Sequence, residues 1–320
     1  MMYVWFIVGV ALTLLGASWL VDGASGIAKR YKVSEFVIGV CIVGIGTSMP
    51  ELTVSLLGSL RGSAEIAIGN VTGSNMFNTL VILGITAMIN PIMFTRDNLR
   101  RDMHLNTLAS VILLLFAYLP IAIRPTESPV ISRLEGLLFL LLFAGYLYMT
   151  FRNGNKSEEP DADADAEGRP KPLWLLILMV IAGIAALAVG GKLFVDKGCE
   201  IARALKVSET VIAITFMAGG TSLPELVTCI VAAAKKRNQL ALGNILGSNV
   251  SNILLILGCS SLVRPLIVDT AQFDGFIILI GVAILLYLSA LLPKRNELSR
   301  YKGFIFLLLY AAYIYFVVLA

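Results

Sequence analysis

The stretch Gly46-Thr47-Ser48-Met49-Pro50-Glu51 returns as Gly220-Thr221-Ser222-Leu223-Pro224-Glu225, 174 residues further along the chain. Each copy places a carboxylate, two hydroxyls and a proline inside a segment otherwise apolar enough to cross a bilayer. A charge at the centre of a membrane costs about 2.5–3.5 kcal/mol on insertion scales, so a carboxylate kept there is a functional-site candidate. Here one is kept twice, in the same local order.

The surrounding sequence repeats in the same register. Val21-Asp22 matches Val195-Asp196, Lys32-Val33-Ser34-Glu35 matches Lys206-Val207-Ser208-Glu209, and Gly69-Asn70 matches Gly243-Asn244. Gly73-Ser74-Asn75 matches Gly247-Ser248-Asn249, Asn78 matches Asn252 and Pro91 matches Pro265, all at the offset of 174. Chance likeness between greasy helices does not repeat polar residues in register.

Composition settles the solvent. The chain is 58% hydrophobic and 14% charged, against about 25% charged in a soluble domain; it reads as an integral membrane protein. Apolar stretches of spanning length, about 17–25 residues, fall at 2–23, 36–60, 64–91, 104–123 and 134–151. Five more fall at 173–195, 211–234, 240–265, 273–292 and 301–320. The predicted fold is all-α, ten transmembrane helices in two five-helix repeats, residues 1–151 and 173–320, joined by an acidic linker at 152–172. An odd number of spans per repeat makes the second copy enter from the opposite side, the inverted-repeat arrangement of many secondary transporters. Lys and Arg concentrate after spans one, three, five, seven and nine, which places those loops and the linker in the cytoplasm and both termini outside.

Several function classes are disfavoured. The net charge of +4 comes from residues at segment ends and suggests no nucleic-acid partner. Cys41, Cys199, Cys229 and Cys259 form no metal-ligand spacing, and the one histidine, His104, sits beside charged loop residues. No GxxxxGK[ST] loop is present, and a hydrolase lacks a repeated His or Cys to serve as base or nucleophile. No catalytic residue, cofactor or obligate protein partner is expected; the lipid bilayer and the transported ions are the partners. A channel built from the same oxygens would conduct slowly past a tight carboxylate site.

The repeated residues point to a cation site. Pro50 has no N–H and leaves the Gly46 carbonyl without its helical partner, so a short unwound stretch with free carbonyls is expected beside Glu51; Pro224 does the same for Gly220. Pro50 also suits the first turn of a new half-helix. Ser74 and Asn78 lie four apart, as do Ser248 and Asn252, so each pair shares a helix face. Carboxylates, hydroxyls, amide oxygens and carbonyls are hard ligands that select Ca²⁺, Na⁺, Mg²⁺ or H⁺, and their mixture suits flexible Ca²⁺ coordination better than an Mg²⁺ octahedron. Two carboxylates balance one Ca²⁺, two Na⁺ or two protons, and mutually exclusive occupancy is the basis of antiport. Asn75 and Asn249 read as bridges between helices, Asp22 and Asp196 as solvated helix-end charges, and the linker as a disordered tether.

GTSMPE…GNVTGSNMFN and GTSLPE…GNILGSNVSN resemble the two alpha-repeats of the calcium/cation antiporter superfamily, most closely the prokaryotic sodium/calcium exchangers. The resemblance covers nearly the whole chain. It implies ions bound between spans two, three, seven and eight, and a long tilted pair of spans one and six that slides across the rest. Carried over by position, it implies that Glu51 and Glu225 are the central Ca²⁺ carboxylates, completed by the Thr47 and Thr221 carbonyls. Ser48, Ser74, Ser222 and Ser248, with the carbonyls of Gly44 and Ala218, would be Na⁺ ligands, and Asn78 and Asn252 would fill the middle. Exchangers often carry aspartate at the position of Asn252. Asparagine in both copies leaves two carboxylates and points toward the H⁺/Ca²⁺ branch, the alternative to Ca²⁺/Na⁺ exchange.

Overall fold

The computed structural model describes residues 1–123, 129–154, 171–207, 219–291 and 296–319. It is all-helical apart from four two-residue strands among these residues. Of the linker expected at 152–172, residues 155–170 fall outside the described residues, as do Ala218 and the first part of span seven.

The chain opens with a long helix, α1 (Met2–Tyr31). A bent pair follows, α2 (Glu35–Thr47) and α3 (Met49–Arg61), meeting at 47°. Then come α4 (Ala64–Ile89), α5 (Met103–Ile123) and α6 (Arg133–Gly154). The second half holds α7 (Leu173–Ala204), α8 (Leu223–Ala234), α9 (Asn238–Val263), α10 (Thr270–Leu291) and α11 (Arg300–Leu319). Among the described residues, six helices are long and apolar enough to cross a membrane, or seven if α2 and α3 form one broken span. Their outer faces carry exposed apolar residues such as Trp5, Leu14, Trp19, Leu141, Trp174 and Ile181, a surface that suits lipid rather than water.

The sequence repeat reappears in the backbone. α4 and α9 begin and end at equivalent positions, 64 and 238, 89 and 263. Each contains one widened π-helical turn, Phe77–Ile82 in the first and Asn252–Leu257 in the second. α1 ends at Lys32 with φ 54° and α7 just before Lys206 with φ 60°. α3 ends at Gly62 with φ 84°, and its counterpart Lys236 has φ 58°. L-residues with side chains avoid this left-handed region, so its use at matched helix ends is a shared structural demand.

Contacts between the halves come in exchanged pairs. β1 (Ile92–Met93) pairs antiparallel with β4 (Glu297–Leu298), and β2 (Val130–Ile131) with β3 (Leu266–Ile267). Gly84 of α4 abuts Gly303 of α11, while Gly258 of α9 abuts Gly136 of α6. α1 and α7 pack along each other antiparallel, Gly9 against Gly190 and Gly16 against Gly183. A methyl at Gly183 would lie 2.7 Å from the Leu20 nitrogen and 2.8 Å from the Gly16 carbonyl oxygen, so the two backbones touch. At the centre lies α9, with 94% of its apolar stretch buried, beside α4 with 67%.

Two expectations are corrected here. The stretch around Pro50 is not unwound: the helix bends at one residue, Ser48 (φ −83°, ψ 9°), and α3 starts directly with proline in its first turn. A first-turn proline forfeits no bond that the new helix needs, and the π-helical turn Gly39–Gly44 ahead of the bend widens the helix where it must turn. Asp22 is not merely solvated: the Lys235 ammonium donates to its Oδ1 at 2.7 Å and to the Ser18 hydroxyl at 2.8 Å.

Candidate cation site

Four helical segments converge. The α2–α3 bend carries Thr47, Ser48 and Glu51, and the start of α8, with the residues just before it, carries Thr221, Ser222 and Glu225. α4 carries Ser74, Asn75 and Asn78, and α9 carries Ser248, Asn249 and Asn252. Glu51, Glu225, Asn78 and Asn252 are each 1% exposed. Prolines at matched positions turn each carboxylate into the first turn of a helix, where backbone N–H groups favour negative charge.

Each carboxylate is held by the other half. The Ser222 hydroxyl donates to Glu51 Oε1 at 2.9 Å, and the Ser48 hydroxyl donates to Glu225 Oε1 at 2.9 Å. Ser222 also contacts the Ser74 hydroxyl at 3.1 Å. The Ser248 hydroxyl donates to the Gly44 carbonyl at 3.2 Å, a carbonyl that also accepts the Ser48 N–H at 3.2 Å. The Thr47 hydroxyl donates to Asn244 Oδ1 at 3.2 Å, and Thr221 to Asn70 Oδ1 at 3.5 Å. Every expected site residue except Ala218, which lies outside the described residues, is therefore in or beside this cluster.

Four oxygens remain. Glu51 Oε2, Glu225 Oε2, Asn78 Oδ1 and Asn252 Oδ1 are buried and have no hydrogen-bond partner. Leaving a buried acceptor unsatisfied costs about 1–3 kcal/mol, more for a charged group. Two such acceptors from each half, at equivalent positions, are what a bound cation would satisfy. Among the described residues no three His, Cys, Asp or Glu side chains gather, so the set is two carboxylates and neutral oxygens, the donor chemistry of a hard ion.

Sequence reasoning assigned no role to several members. Asn70 Nδ2 donates to the Glu51 carbonyl at 3.1 Å and to the Ser55 hydroxyl at 3.0 Å. Its counterpart Asn244 instead donates to the Cys229 sulfur at 3.1 Å, so this cysteine does more than fill space. Thr79 receives the Asn249 amide at 2.9 Å. The recurrence of Gly-Asn in both repeats was the available signal for Asn70 and Asn244; Thr79 faces Ile253 in the alignment and gave none.

The sodium/calcium exchanger protein family matches residues 1–152 and 175–319. An uncharacterized membrane protein of Methanocaldococcus jannaschii is 36% identical over 306 residues, spanning 96% of this chain and 94% of its own. The sodium/calcium exchanger MaX1 of Methanosarcina acetivorans is 35% identical over 96% of each chain. Among solved structures, the sodium-calcium exchanger NCX_Mj soaked with zero Na⁺ and Ca²⁺ superposes with a TM-score of 0.83 at 31% identity, covering 99% of this chain and 98% of that one.

Proposed function

Since the chain belongs to the sodium/calcium exchanger family, we propose that it is a secondary active antiporter exchanging Ca²⁺ for Na⁺ by alternating access. The observation that carries this reading is the set of four unpartnered buried oxygens on Glu51, Glu225, Asn78 and Asn252. Two carboxylates neutralise one Ca²⁺ or two Na⁺, and in a low-dielectric site the two loads exclude each other. The Thr47 and Thr221 carbonyls complete the Ca²⁺ site; Ser48, Ser74, Ser222, Ser248 and the carbonyls of Gly44 and Ala218 serve Na⁺. No ATP is consumed; an inward Na⁺ gradient drives Ca²⁺ out.

The architecture assigned to this cycle is ten spans in two inverted five-helix repeats, residues 1–151 and 173–320, with linker 152–172 and the basic loops cytoplasmic and both termini outside. The exchanged contact pairs and the antiparallel α1–α7 packing support it. H⁺/Ca²⁺ exchange is the second reading, favoured by the neutral amides at both Asn78 and Asn252. Reconstituted protein given Na⁺, K⁺ and pH gradients separately distinguishes the two. Ca²⁺ uptake into Na⁺-loaded vesicles at uniform pH supports Na⁺ exchange. Uptake driven by a pH step without Na⁺ supports the second reading, and uptake under neither overturns both.

A further inference from the structure

Asn75 and Asn249 occupy equivalent places on α4 and α9, 174 residues apart, and are 1% and 2% exposed. They form a crossed set of bonds between the halves. Asn75 Nδ2 donates to the Asn249 backbone carbonyl at 3.0 Å, and Asn75 Oδ1 accepts from Asn252 Nδ2 at 2.9 Å. Asn249 Nδ2 donates to the Thr79 hydroxyl at 2.9 Å, and Asn249 Oδ1 accepts from Asn78 Nδ2 at 3.2 Å.

Around Asn75 the order of these bonds has one sense. A backbone carbonyl only accepts, so Asn75 must turn its amino group to Asn249 and its oxygen to Asn252. Facing an oxygen, Asn252 must present its own amino group, which leaves its Oδ1 pointing elsewhere. That Oδ1 is one of the unpartnered buried oxygens, and Asn78 Oδ1 is another. On that side Asn249 gives its amino group to the Thr79 hydroxyl, a group able to donate or accept, and its oxygen to Asn78 Nδ2, so Asn249 holds Asn78 in the same sense without an acceptor-only partner of its own. Without the two outer amides, either inner amide is free to rotate and offer N–H to the site. A donor there would repel a cation.

We infer that Asn75 and Asn249 are positioning residues: each holds the amide of the other half's inner asparagine, Asn252 or Asn78, so that only oxygen faces the ion. They touch no ion themselves. The inference rests on the cation site proposed above. It accounts for the Gly-Ser-Asn-x-x-Asn spacing in both repeats, because each half supplies one outer amide to clasp the partner's inner one.

The test is Ca²⁺ binding to the full-length protein in nanodiscs by titration calorimetry, read in two backgrounds. Asn75→Ala is expected to weaken Ca²⁺ binding about tenfold, the scale of one misplaced polar group. In the Asn252→Asp background the loss should vanish: both oxygens of a carboxylate accept and none needs orienting, and the Asn75 oxygen facing them is unfavourable, so the same substitution leaves affinity unchanged or up to about twofold tighter. Asn249→Ala with Asn78→Asp repeats the comparison from the other half. Equal losses in both backgrounds, or none in either, overturn the positioning role. So does failure of both single variants to elute as folded protein, which would assign these amides to packing. Wild-type protein that binds no Ca²⁺ overturns the cation site instead, a separable result.

Discussion

At the scale of single residues, charge and its support separate cleanly. Replacing Glu51 or Glu225 with Gln keeps the shape and removes half of the negative charge that a divalent ion meets. Ca²⁺ uptake into Na⁺-loaded vesicles is expected to fall at least about 100-fold for either, a loss near 2.7 kcal/mol. Ser48→Ala and Ser222→Ala each remove one hydrogen bond to a carboxylate that is itself retained. Their cost is smaller, on the order of tenfold, the lower end of the range of about 1.5–3 kcal/mol that a bond to a charged group is worth, because the carboxylate keeps its charge. A serine variant as damaging as its glutamine counterpart would mean that the hydroxyls carry the load. The carboxylates, the serines and Asn78 and Asn252 were readable in the sequence because the duplication marked them. Their partners were not: a spacing of four residues defines a helix face, but not which helix it faces. The pairing of Ser48 with Glu225 and Thr47 with Asn244 is a product of packing.

At the scale of elements, the α1–α7 contact is sensitive to side-chain volume. Gly183→Val places carbon against the Leu20 nitrogen and the Gly16 carbonyl, backbone atoms that cannot rotate away. Overpacking of this kind costs about 1–3 kcal/mol, and the melting temperature in detergent, followed by tryptophan fluorescence, should drop. Gly281→Ala on α10, exposed and with no described neighbour within 4 Å, should leave it unchanged. The lengths of α4 and α9 were legible from apolar runs that their helices fill. The lengths of α1 and α7 were not, since both continue into polar residues as far as Tyr31 and Ala204, beyond any hydropathy signal. The bend at Ser48 replaced an expected unwound stretch because proline in a first turn disrupts little. Two-residue strands carry no periodicity to read.

At the scale of the whole molecule, the two halves differ where alternating access would make them differ. Lys235, at the end of α8, binds Asp22 of α1 at 2.7 Å. The equivalent residues Arg61 and Asp196 are both exposed, and among the described residues neither has an ion-pair partner. If transport exchanges the conformations of the halves, Lys235–Asp22 opens and Arg61–Asp196 closes in the opposite-facing state. Exposed pairs are worth about 0–1 kcal/mol, weak enough to make and break in each cycle. Lys235→Glu should slow Ca²⁺ exchange and Asp22→Lys added to it restore the rate; Arg61→Glu and Asp196→Arg should behave alike. Rescue at the first pair alone would contradict the exchange.

All three scales depend on the proposed site, where two kinds of ion would take turns. The most direct measurement is the apparent Ca²⁺ dissociation constant of the purified protein at rising Na⁺ and fixed pH, for wild type and Glu51→Gln. The account predicts that Na⁺ weakens Ca²⁺ binding progressively in the wild type, and that Glu51→Gln binds Ca²⁺ at least about 100-fold more weakly. A Ca²⁺ affinity indifferent to both Na⁺ and this substitution would contradict it.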